Sequence, residues 1–120
     1  MPELHHLALR VLDPARAAAF YSGLLGLPEL RRVEGPSGLI AVWLQAGPAV
    51  LMLETRLRGR GSSEGSGHLL VLATDDLAAA AQALAQAGVA VEDRTEHTLY
   101  FRDPDGHRLG LSDYAFAACP

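Results

Sequence analysis

Residues 4–12 (LHHLALRVL) alternate between apolar and polar positions, with Leu7, Leu9 and Val11 on one parity. That period of two predicts a half-buried strand. Asp13-Pro14 supplies an N-cap and a first-turn proline, and apolar spacing at Ala17, Phe20, Tyr21, Leu24 and Leu25 predicts a helix that Gly26 ends. Three strands are expected next, at about 29–34, 39–46 and 49–55, with Gly47-Pro48 turning between the last two. Residues 57–67 hold four glycines and three serines, a composition that reads as a flexible loop or linker. A strand then restarts at 68–74, Asp75 or Asp76 caps a helix with Leu77, Ala81 and Leu84 on one face, and Gly88 stops it. Strands near 90–94, 97–103 and 107–113 complete the chain, the last two joined through Asp103-Pro104-Asp105-Gly106.

The order is therefore βαβββ, linker, βαβββ. His6 and His68, Asp13 and Asp75, and Gly26 and Gly88 are each 62 positions apart (68 − 6, 75 − 13, 88 − 26). Three unlike residue types at one offset indicate an internal duplication. The expected fold is α+β: two tandem modules, about 4–56 and 68–114, form one domain over 1–120. Their mixed sheets are expected to curve around a concave cleft with helices on the outer face, and such a concavity suits a small molecule.

Composition narrows the class. The chain has 120 residues, 49% apolar and 20% charged, with a formal net charge of −4. A mildly acidic chain lacks the basic face that nucleic acid or an anionic membrane would require. No apolar run approaches the roughly 18–20 residues of a membrane span, and no leader pattern is expected. The single cysteine, Cys119, leaves no internal disulfide and suggests a cytoplasmic setting.

Strand parity sorts the candidate chemistry, because successive side chains point to opposite faces. His6, Ala8 and Arg10 are expected in the cleft, opposite Leu7, Leu9 and Val11. His68 and Leu70 are expected to join them, with Leu69, Val71 and Ala73 under the helix. Val50, Met52 and Glu54, then Thr98, Tyr100 and Arg102, and finally Arg108, Gly110 and Ser112 complete that face. Two imidazoles and a carboxylate from different strands suit Zn, Ni, Mn, Fe or Co, with open positions for substrate oxygens. Arg10 and Arg102 there imply water, an internal ion pair or an anionic ligand. Tyr100 is the expected stacking residue, whereas Trp43, aligned with Phe101, is expected in the core. Arg56, Arg58 and Arg60 are read as solvated loop charges, and His97 and His107 as surface residues. His5 is expected to point away from His6.

HHLALRV, FYSGLLGL, GHLLVL, AQAGV and LYFRDPDGHRLGL together resemble the vicinal-oxygen-chelate superfamily of glyoxalases, bleomycin-resistance proteins, extradiol dioxygenases and fosfomycin thiol transferases. The resemblance spans nearly the whole chain and implies fold more than reaction. It implies metal ligands at His6 and His68, with carboxylates expected at two further positions. Those positions are Met52 and Gly110 here, and neither ligates a hard divalent ion. Glu54, two residues beyond Met52 on the same face, is the remaining candidate ligand and base. The hairpin LYFRDPDGHRLGL is similar to that of the fosfomycin enzymes, although no lysine exists to hold a phosphonate. The resemblance also implies a homodimer.

Three functions follow. The favoured one is a small-molecule-binding protein that needs no metal and holds a hydrophobic or cationic compound in a groove lined by Tyr100, Met52 and Leu70, with Arg10 and Arg102 as further ligand-binding candidates. A metal-dependent lyase, isomerase, thiol transferase or dioxygenase would use His6, His68 and Glu54. A structural module would do neither.

Overall fold

The computed structural model describes residues 2–59 and 67–116; Arg60, most of the glycine-rich linker and Cys119 lie outside them. Contacts divide the chain into two units, Met1–Ser63 and Glu64–Pro120. Unit 1 contains β1 (His6–Arg10), α1 (Pro14–Ala18) continued by a π-helical turn (Ala19–Leu24), β2 (Glu29–Gly35), β3 (Gly38–Ala46) and β4 (Ala49–Glu54). Unit 2 contains β5 (Leu70–Ala73), α2 (Leu77–Gln86), β6 (Asp93–Arg94), β7 (Thr98–Arg102) and β8 (Arg108–Ser112). Each unit thus has the expected βαβββ order.

The two sheets are built alike. Unit 1 orders its strands β1-β4-β3-β2 and unit 2 orders them β5-β8-β7-β6. In each, the first strand pairs in parallel with the last, and the other pairings are antiparallel. A parallel pair needs a long crossover, and the helix together with the intervening hairpin supplies it. One face of each sheet packs on its helix. In unit 1, Val42, Leu44, Leu51 and Leu53 are buried, as are Ala17, Phe20 and Tyr21 of the helical segment. In unit 2, Leu84 of α2 is buried, as are Leu99, Phe101, Leu109 and Leu111.

Both helices begin at an aspartate. Asp13 Oδ1 accepts from the Ala15 and Arg16 amides at 3.0 and 3.2 Å, and Asp76 Oδ1 accepts from the Ala79 amide at 2.9 Å. Each thereby satisfies amides that have no partner within the helix. Both helical segments stop near a glycine of positive φ, Gly26 at 82° and Gly88 at 75°, a conformation strained for any residue with a Cβ.

Pairing register corrects the simple 62-residue repeat. Leu51 and Leu53 on β4 correspond to Leu109 and Leu111 on β8. Their partners are Leu7 and Leu9 on β1, and Leu70 and Leu72 on β5. The two first strands are therefore related by 63 positions (70 − 7), as are the caps Asp13 and Asp76 (76 − 13). The glycines return to 62 because the first helical segment contains a π turn, which accommodates one extra residue.

Two consequences reverse expectations. Leu70 and Leu72, not Leu69, Val71 and Ala73, face the helix side; Leu69 and Val71 remain 45% and 43% exposed. His6 corresponds to Leu69, and His68 falls on the place of His5. An unbroken apolar run such as LLVLA carries no parity, so pairing with β8 decides which side faces in.

Candidate functional site

Pairing arranges the face away from the helix in transverse rows, because paired residues share a face. In unit 1 the first row is His6, Val50 and Gln45; the second is Ala8, Met52, Trp43 and Arg31; the third is Arg10, Glu54, Ala41 and Val33. The middle row is apolar until it ends at a guanidinium. Trp43 is half-buried, and its Nε1–H donates to Glu54 Oε1 at 3.2 Å. The Arg31 guanidinium carbon stands 5.4 Å from the centroid of the Trp43 ring, within cation–π range. The indole is thus held at its edge by a carboxylate and approached by a cation.

Trp43 does not belong to the helix-side core. Trp43 pairs with Met52, and Tyr100 pairs with Gly110. The second hairpin is one residue longer (110 − 100 against 52 − 43), so Trp43 corresponds to Tyr100 and Leu44 to Phe101. The alignment of Trp43 with Phe101 holds only if the two hairpins are equally long, and the extra residue in the second moves the indole to the other face. Arg31 was missed as well, because its place beside Trp43 depends on a register shift between Glu29 and Arg31.

In unit 2 the corresponding rows are Arg108 with Arg102; Val71, Gly110, Tyr100 and Asp93; and Ala73, Ser112 and Thr98. A cavity of about 300 Å³ is lined by Leu69, Tyr100, Arg102 and Arg108, with Glu92, Asp93, Phe101 and Leu109. Arg102 Nε donates to Glu92 Oε1 at 3.2 Å, and its Nη1 donates to the Gly106 carbonyl at 2.9 Å. That contact realises the internal ion pair among the alternatives for Arg102. Arg108 Nη2 donates to the His68 carbonyl at 3.0 Å. Thr98 Oγ1 and Ser112 Oγ are 2.8 Å apart and hydrogen-bonded.

Gly110 occupies a tight position. A Cβ there would lie 3.1 Å from Val71 Cγ2 and 3.3 Å from both the Leu99 carbonyl oxygen and Thr98 Cγ2. At the position where the family resemblance expects a carboxylate, the neighbours must therefore shift by a few tenths of an ångström to admit even a Cβ.

His6 lies on the face expected of it, in row with Val50 and Gln45, but His5 does not point away from it. His5 and His6 lie in edge-on contact, with ring centroids 5.1 Å apart and Nδ1 atoms 2.8 Å apart. Strict alternation fails here because His5 precedes β1. His68 is exposed and precedes β5, and it belongs to the other unit from His6. His97 pairs with Asp113, Nδ1 to Oδ1 at 2.8 Å, and meets Tyr114 edge-on.

The unit 1 donors do not fit one metal ion. His6 is in register with Val50 and Arg10 with Glu54, so His6 and Glu54 stand four residues apart, about 13 Å along the strands. Metal–ligand bonds of about 2 Å cannot bridge that separation without stretching both side chains along the sheet. Glu54 instead serves the Trp43 indole and neighbours Arg10. Among the described residues no three His, Cys, Asp or Glu side chains form a ligand group.

On β2, Glu29 accepts hydrogen bonds from Arg32 Nε and, at 3.2 Å, from Nη2. That bonding raises the Arg32 guanidinium above its ordinary pKa, with the carboxylate's charge contributing in the same direction. Glu29 is therefore engaged with Arg32.

Two α+β units with matching strand orders and one helical segment per sheet define the fold class. The chain belongs to the Glyoxalase/Bleomycin resistance protein/Dioxygenase superfamily, which matches residues 3–111. Among solved structures it is similar to TnmS3, an antibiotic binding protein from Streptomyces sp. CB03234. The identity is 25% and the TM-score 0.73, covering 93% of this chain and 95% of that one. A glyoxalase/bleomycin resistance protein from the same organism shares 26% identity at a TM-score of 0.69, covering 92% of this chain and 99% of its own. A lactoylglutathione lyase from Agrobacterium tumefaciens, 20% identical with a TM-score of 0.69 and 92% coverage of both chains, shares the fold. No curated protein matches the chain. No helix among the described residues is long and apolar enough to cross a membrane.

Proposed function

We propose that this protein binds a flat, largely apolar small molecule of antibiotic type on the Trp43 face of unit 1. The carrying observation is the indole itself, half-buried beside Met52 with its N–H fixed by Glu54. A ring whose orientation is already set loses less freedom when a ligand stacks on it. Aromatic stacking then contributes about 0.5–1.5 kcal/mol beyond the apolar area removed from water. Tyr100 at the corresponding place in unit 2, beside its own cavity, supports the reading. So does the likeness to TnmS3, whose name describes antibiotic binding.

The reading assigns no bond-making step. A metal-dependent reaction through His6 and Glu54 gains no support from unit 1, where the two residues are two rows apart. Pairing of two copies, implied by the family resemblance, forms part of the proposal and predicts a sedimenting mass of about twice 12.7 kDa.

The binding experiment titrates the protein with neutral polycyclic aromatics while following tryptophan emission, which comes from Trp43 alone because the chain has one tryptophan. Saturable quenching is expected, together with a calorimetric affinity at least tenfold weaker in Trp43→Leu. Absence of saturable quenching, or an unchanged affinity in Trp43→Leu, overturns the proposal.

A further inference from the structure

We infer that the Trp43 platform selects planar aromatics carrying an anionic group, with the ring on the indole and the anion on Arg31. This deepens the binding reading above and rests on it. Arg31 ends the apolar row Ala8, Met52, Trp43, and its guanidinium lies 5.4 Å from the indole centroid. The guanidinium lies over the indole and Arg31 is exposed, so a ring that stacks there displaces it toward the ring's own edge, where a carboxylate or sulfonate can meet it.

The charges around the row fix the sign. Glu29, two residues away on the same strand, is hydrogen-bonded to Arg32. Glu54 accepts the indole N–H and lies in register with Arg10. Among the described residues, no carboxylate forms an ion pair with Arg31. In a chain of net charge −4, its guanidinium, in contact with the indole and in no ion pair with a described carboxylate, thus offers a positive charge beside an apolar shelf. Guanidinium is weakly hydrated and presents paired N–H donors that match carboxylate or sulfonate oxygens. A cationic ring would have to approach the same guanidinium and meet repulsion.

The test uses one ring system at three charges: anthraquinone-2-sulfonate, 2-(hydroxymethyl)anthraquinone and 2-(aminomethyl)anthraquinone. Affinities are read by calorimetry and Trp43 quenching at low salt and at 0.5 M salt. The sulfonate is expected to bind roughly three- to tenfold more tightly than the neutral compound at low salt, and the ammonium more weakly than either. Added salt should narrow the gap. Arg31→Gln should bring the sulfonate to the affinity that the neutral compound shows for the same variant. Equal binding of all three refutes charge selection while the platform stands. A sulfonate preference that survives Arg31→Gln, or tighter binding of the ammonium, also overturns it. Failure of all three to bind removes the platform and this inference together.

Discussion

The bond between Trp43 and Glu54 is the feature on which the proposed ligand placement depends, and a double-mutant cycle measures it. Trp43→Phe keeps an aromatic ring and removes the N–H; Glu54→Leu keeps bulk and removes the acceptor. A hydrogen bond to a carboxylate contributes about 1.5–3 kcal/mol when well shielded. Trp43 and Glu54 are both half-buried, so water can replace part of the interaction, and the expected coupling is about 1 kcal/mol. An unfolding entropy of roughly 2.1 cal/mol/K per residue converts that to about 4 °C in Tm if all 120 residues melt together. If unit 1 (Met1–Ser63) melts by itself, the same energy shifts its transition by about 8 °C. Circular dichroism melts and urea titrations of the wild type, both single variants and the double variant supply the cycle. Single-variant losses that add to within about 0.3 kcal/mol would refute the bond, because independent sites add to that precision.

Asp13→Ala and Asp76→Ala should each cost about 1 kcal/mol in thermal or urea unfolding, as loss of an N-cap does. Asp13 should cost more because it bonds two amides and Asp76 one; the reverse order in melts would contradict the capping geometry. Gly110→Ala should destabilise by about 1 kcal/mol despite removing glycine's unfolded-state freedom, because the new Cβ meets the Leu99 carbonyl within the β7–β8 ladder. Half-exposed Val71 can yield, so adding Val71→Ala should recover part of the loss. A neutral or stabilising Gly110→Ala in urea titration would show that the site is open.

Much of the architecture was readable from local chemistry. Asp13-Pro14 and Gly26 bracket a helical segment because capping and positive φ are properties of single residues. Leu7 and Leu9 declare their face because polar His6 and Arg10 flank them on the opposite parity, with only the small Ala8 between. The second copy offered no such contrast: Leu69 through Ala73 are all apolar, and only pairing with β8 shows that Leu70 and Leu72 turn inward. The site was obscured by the same kind of slip. Trp43 fell into the wrong layer because the hairpins differ by one residue, and Arg31 depends on a local irregularity of pairing. Parity makes Glu54 a candidate ligand and base, and its partner in the structure is an indole two strand positions away from the row of His6. Long-range register decides that, and it is not written in any short stretch of sequence.

The π turn at Ala19–Leu24 leaves a mark on how the two copies can diverge. A widened helical turn is a buffer for length: one codon can be gained or lost there while Asp13 upstream and Gly26 downstream keep their structural places. Removing one of those residues should yield a regular helix and an undisturbed sheet. Swapping the helical segments between the copies demands one splice frame at the aspartate caps and another, one residue shorter, at the closing glycines.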